Sequence, residues 1–178
     1  MEADWELELG GDAPVIDAHW SGLVDLRSAP ERAAELPEAM QQPGLAEALK
    51  KLNGAGSPVW TAKCDAWPVA EFDVDELDAP RDAAWSAVAC YIDLLSSDPD
   101  AWSALADAEA WCKTACARLR AVPMRCCRVD LVVRRAVLRA GCEALGVTAY
   151  LTACGATDET AAESLRASLT AFADAIAP

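Results

Sequence analysis

The chain of 178 residues has little of several things that most catalytic machinery needs. It holds one histidine, two tyrosines, two phenylalanines and three methionines. Any imidazole chemistry must therefore run through His19 alone. It contains no G-x-G-x-x-G, no phosphate-binding loop, no H-E-x-x-H and no G-x-S-x-G, so the backbone cradles and nucleophile elbows that those motifs build are missing. Basic residues are scarce, 15 Lys and Arg against 29 Asp and Glu, for a net charge of −14 and a pI near 4.3. That balance excludes autonomous binding to nucleic acid or to an anionic membrane, since both require excess positive charge. Long apolar runs are lacking too. The longest charge-free stretch, Ala144 to Thr157, is 14 residues and includes two glycines and three threonines, whereas a spanning helix needs about 20 apolar residues. The first residues, Met1-Glu2-Ala3-Asp4-Trp5-Glu6, are acidic where a secretory signal carries Lys or Arg. The expectation is a soluble, cytoplasmic protein.

What is present is the composition of a packed protein, 53% hydrophobic and 25% charged. No repeat or low-complexity linker divides it, so residues 1–178 read as one domain, which at this length buries roughly 70% of its unfolded-chain surface. Eight cysteines stand at 64, 90, 112, 116, 126, 127, 142 and 154. In a reducing compartment they are expected to be free thiols, most of them small buried residues within apolar patterns.

Alternation of apolar and polar residues predicts strands at Trp5–Leu9, Val15–Leu26, Val59–Trp67, Trp85–Leu95 and Val147–Cys154. Helices are predicted over Leu45–Leu52, closed by Asn53-Gly54, from Ser97-Asp98-Pro99 to Arg120, and from Thr157 to Ile176. Residues 125–145 fit both a helical stripe (Val129, Val132, Val133, Ala136, Val137) and a valine-rich strand. Their length favours a helix closing at Gly146. Residues 71–82 read as a solvated acidic loop. Strands with one apolar and one polar face must be covered by helices on the apolar side only. The fold class is therefore α+β, a mostly antiparallel sheet with helices packed on one face.

If the strands are neighbours, their polar faces gather short hydrogen-bonding and aromatic side chains on one surface. Asp17, His19, Lys63, Asp65, Tyr91, Asp93 and Tyr150 are the candidate binding residues, with Thr61, Trp67 and Thr148 beside them. Asp17-x-His19 would put a carboxylate and the imidazole on one side of a strand, the pair that acid–base chemistry needs, but no nucleophile accompanies them.

The remaining motifs are weaker. Cys112-x5-Arg118 has phosphatase spacing without the glycines of an anion-binding loop. Cys112, Cys116, Cys126 and Cys127 do not flank turns as zinc ligands do. Cys154 precedes a helix, whose dipole would lower its pKa, while Asp158 and Glu159 oppose that. No metal and no cofactor is expected. Charge is segregated: residues 1–112 carry −17 and residues 113–142 carry +7, mostly as arginine. That stripe either pairs with the acidic remainder or forms an anion-binding edge. The reading these features favour is a non-enzymatic binding protein for a basic partner protein, inhibitor-, immunity- or adaptor-like. The alternative is a small enzyme or ligand sensor on the polar face around Asp17 and His19.

Overall fold

A computed structural model describes residues 1–81, 85–139 and 142–178, and the side chains of Pro43 and Arg139 lie outside that description. Asp82 of the acidic stretch and Ala140 of the ambiguous segment fall outside it as well. In chain order the elements are β1 (Glu2–Glu8), β2 (Ile16–Asp17), a 3-10 helix (Pro30–Glu35), α1 (Pro37–Gln41), α2 (Pro43–Leu52), β3 (Val59–Val69), β4 (Ser86–Ser96), α3 (Leu105–Arg120), β5 (Cys127–Arg139), β6 (Cys142–Gly155) and α4 (Asp158–Ile176). The sheet order is β1-β5-β6-β4-β3, with β2 beside β5. β1 and β2 run parallel to β5, and the other pairings are antiparallel. This is the α+β architecture that the alternating pattern predicts.

The apolar side of the sheet builds the main core. Cys90, Ile92 and Leu94 of β4, Val147, Ala149 and Leu151 of β6, and Val129, Leu131 and Val133 of β5 meet Leu45, Leu49 and Leu52 of α2, Cys112 and Leu119 of α3, and Leu165, Leu169 and Phe172 of α4. Each fully buried leucine there contributes about 1.5–3 kcal/mol relative to exposure. Buried Asn53 ties helix to sheet. Its amide donates to Leu49 O and to Thr61 Oγ1 (both 2.8 Å) and accepts from the Thr61 N–H at 3.0 Å. Thr157 opens α4 in a reciprocal capping box with Thr160, which satisfies two otherwise unpaired N–H groups.

Several local expectations are corrected. Residues 127–139 are a strand, not a helix. As a central strand, β5 buries Val132 and Ala136 on the face opposite Val129, Leu131 and Val133, and two buried faces blur the alternation that marks a strand. Of Val15–Leu26, only Ile16–Asp17 is strand. The Asp17 carboxylate accepts the His19 N–H at 2.8 Å, a local turn bond that competes with extended pairing. α3 begins at Leu105 rather than at Asp98, because residues 98–104 form turns, with Asp98 Oδ1 accepting the Asp100 N–H.

Two chain segments lie against the polar side of the sheet. Toward one end, Ile16 and Ala18 pack with Trp60, Ala62, Leu95 and Ala136 in a second small core. Gly146 permits this approach: a Cβ there would sit 2.8 Å from Ile16 Cδ1 and 3.1 Å from Leu94 O. Toward the other end, Leu77 and Ala79 pack with Ala87 and Cys154. The stretch read as a solvated acidic loop thus buries two apolar side chains and forms a wall.

Candidate functional site

Between these walls an open trough crosses the sheet, and strand register decides what lines it. One row runs Asp65–Tyr91–Tyr150–Asp130–Asp4 across β3, β4, β6, β5 and β1. The next row holds Asp93, Thr148, Val132 and Glu6. Beyond it Gly146, Arg134 and Glu8 are register partners. On the other side of the tyrosine row stand Trp67, Ala89, Thr152, Arg128 and Glu2. Neighbouring strands lie about 4.8 Å apart, so five of them make a surface about 19 Å wide.

The polar side chains form a connected network. Arg134, only 9% exposed, donates from Nε and Nη2 to Glu8 Oε2 (2.9 and 2.5 Å) and from Nη1 to Tyr150 Oη (3.1 Å) and Thr148 Oγ1 (3.2 Å). The Thr148 hydroxyl in turn donates to Asp93 Oδ1 at 2.6 Å. Asp93 is 8% exposed, and burial raises its pKa above the ordinary carboxylate value, opposed by the Thr148 bond and the charges of Arg134 and Lys63. Arg128 grips Asp130 with Nε contacts of 2.8 and 2.9 Å. Trp67, Tyr91 and Tyr150 form a tilted aromatic ladder with ring centroids 6.1 Å apart at each step. Tyr91 is pushed up to about 12 by burial and then by Asp93 and Asp65, so its phenol stays protonated.

The trough is strongly acidic. A cavity of about 550 Å³ at its β1 side is lined by Asp4, Glu6, Glu8, Glu76 and Asp130 against Arg128 and Arg134. Both arginines are already engaged by Asp130 and Glu8. Among the described residues Glu6 and Glu76 make no salt bridge, and Asp4 has only a 3.6 Å contact with Arg120. Among the described side chains of the arginine-rich stretch, most are therefore paired with the acidic remainder of the chain. Lys113, Arg120, Arg125, Arg128 and Arg134 pair with carboxylates, while Arg118 and Arg135 bond to main-chain carbonyls.

Of the residues predicted from sequence, Asp65, Tyr91, Asp93 and Tyr150 line the trough side by side. Lys63 stands at its edge, in a bulge between Thr61 and Cys64, with Nζ 5.4 Å from the Trp20 ring. The bulge shifts the phase of β3. Thr61 and Cys64 pair with Leu94 and Ile92 and face the helices, while Trp60 joins the second core. Asp17 and His19 stand apart. Both are exposed in the covering segment, and His19 lines a different cleft with Arg27, Trp60 and Ser96. Cys154 is buried, and burial followed by the neighbouring Cys126 pushes its thiol up to about 12, the reverse of an activated nucleophile.

Sequence reasoning missed Glu8, Arg128, Asp130 and Arg134. The last three belong to the strand read as a helix, and the alternation Arg128-Val129-Asp130-Leu131 was the signal available. No protein-family model matches the chain, and neither the curated proteins nor the solved structures yield a match.

Proposed function

We propose that this chain is a non-enzymatic binding protein of the inhibitor, immunity or adaptor kind, and that its trough receives a basic segment of a partner protein. The observation that supports this reading is the surplus of carboxylates at Asp4, Glu6 and Glu76 beside arginines already neutralised within the chain. Such a surface attracts cations over a distance set by the ionic strength, about 10 Å at 0.1 M. The Trp67–Tyr91–Tyr150 ladder adds wide, amphipathic contact area of the sort enriched at recognition surfaces. Arginine or lysine side chains suit both features, through charge-assisted bonds to the acids and contact with the ring faces.

The enzyme reading draws no comparable support. It needs His19 among the acids, and His19 stands in a separate cleft with no carboxylate hydrogen-bonded to its ring among the described residues. Eight free thiols accord with a reducing, cytoplasmic setting, and no helix among the described residues is long and apolar enough to cross a membrane.

Affinity capture with the wild-type chain and with an Asp4→Asn/Glu6→Gln/Glu76→Gln variant tests this reading. The expected result is a basic protein retained by wild type at about 0.05 M salt, released near 0.5 M, and absent from the variant. A partner that the variant retains equally, or that survives high salt, refutes it.

A further inference from the structure

A second cleft opens beside the trough, under the segment that follows β2. Its volume is about 480 Å³, and Leu26, Leu36, Leu49 and Val24 contribute apolar wall while Glu38 and Asp65 contribute carboxylates. Volumes of this size suit small molecules. The cleft is built rather than incidental. The β3 bulge leaves the Ala62 carbonyl to accept the Trp20 indole N–H at 3.0 Å. The indole folds back over Gly22, where a Cβ would lie 2.0 Å from the ring. Lys63, the cation among the described lining residues, has its Nζ 5.4 Å from the centroid of that ring.

We propose that this cleft, which adjoins the trough, is a ligand site for a small amphipathic cation, a primary amine carried on a compact apolar body. The apolar walls would take the body, and Glu38 and Asp65 the ammonium group, which binds carboxylates through charge-assisted hydrogen bonds. Tyr91 and Trp20 supply ring faces in the same lining. Burial first, and then the charges of Glu38, Asp65 and Asp93, push the Cys64 thiol in this lining up to about 12. A neutral thiol leaves the cleft to reversible binding rather than covalent attack. The cleft shares Asp65 and Tyr91 with the trough but has none of Asp4, Glu6 and Glu76 in its lining, so a variant of those three carboxylates tells the two sites apart.

The test is an NMR titration of the ¹⁵N-labelled chain with 3-phenylpropylamine, 3-phenylpropionate and 3-phenylpropan-1-ol. The Trp20 indole resonance is assigned by its loss in Trp20→Phe. The amine is expected to shift that resonance and the Ala62 and Lys63 amides saturably, and to do so more tightly than the alcohol or the acid. Glu38→Gln should weaken the amine about fivefold, as loss of one partly exposed charged partner does. The Asp4→Asn/Glu6→Gln/Glu76→Gln variant should bind it as wild type does. An unmoved Trp20 resonance, equal or tighter binding of the carboxylate, or loss of amine binding in the trough variant overturns the proposal.

Discussion

Replacing Arg134 by Met removes the group on which the trough network converges, at a cost that can be worked from its contacts. The guanidinium is nearly buried and holds Glu8, Tyr150 and Thr148 together. A hydrogen bond to a charged partner contributes about 1.5–3 kcal/mol. The Glu8 side chain is 42% exposed, so water recovers part of its loss and the carboxylate bonds count at the low end. Thr148 is fully buried and keeps Asp93 as its acceptor, while Tyr150 loses a donor at its hydroxyl. The net expectation is a loss of about 2–3 kcal/mol, or about 5–10 °C in Tm for a domain of this size. The loss should also depend on pH. Asp93 has a raised folded-state pKa, so its folded state binds a proton more readily than its unfolded state. It therefore lowers stability as pH rises above the unfolded value near 3.8. Removing Arg134, one of the cations that favour the Asp93 charge, deepens that penalty. Urea unfolding of Arg134→Met, Asp93→Asn and the double variant at about pH 4 and pH 7 reads this as a midpoint shift at constant m. Arg134→Met should be more damaging at neutral pH, and Asp93→Asn should restore part of the loss. A loss below about 0.5 kcal/mol, in the range of ordinary surface changes, or one equal in both backgrounds and at both pH values, refutes the network account.

Single contacts carry the other expectations. Gly146→Ala drives a methyl toward Ile16 and Leu95 and should cost about 1–3 kcal/mol as overpacking does, read by thermal unfolding, with faster hydrogen exchange at the Ala18 amide that bonds Val137 O. Asp93→Asn alone should flatten the fall in stability between pH 4 and 7, because the raised folded-state pKa is what produces it; an unchanged pH profile would contradict the assignment. Thiol alkylation of the native chain should modify exposed Cys142 first, and reach buried Cys90, Cys112 and Cys154 only on unfolding. Rapid labelling of Cys154 in the folded state would show its environment to be wrongly described.

The outline of the sheet was legible because β4 and β6 keep a strict period of two. Tyr91, Asp93, Thr148 and Tyr150 stand on one face as their spacing dictates, and strand pairing brings them together. Legibility fails where a second contact alters the pattern. In β5, Ala136 is buried in the second core and Val132 in the floor of the trough, opposite the main core, which made a strand resemble a helical stripe and concealed Arg128, Asp130 and Arg134. In β3 a bulge exchanges the two faces between Thr61 and Cys64, and no residue pattern announces a bulge of this kind. From Ile16 to Leu26 the alternation is real, but it packs Ile16 and Ala18 onto the second core instead of adding a long strand. Asp17 and His19 stand elsewhere for that reason: the Asp17 side chain bonds the His19 N–H, and this local turn bond competes with extended pairing.

The role proposed for the trough between the two covering segments is to receive a cationic segment. The most direct measurement is an NMR titration of the ¹⁵N-labelled chain with an arginine-containing peptide, blocked at both ends, alongside its glutamate counterpart. Salt-sensitive shifts clustered at Glu6, Asp130, Val132 and Tyr150 are expected for the arginine peptide alone, and Asp4→Asn/Glu6→Gln/Glu76→Gln should abolish them. Shifts centred on α3 and α4, or indifferent to the sign of the peptide's charge, would contradict it.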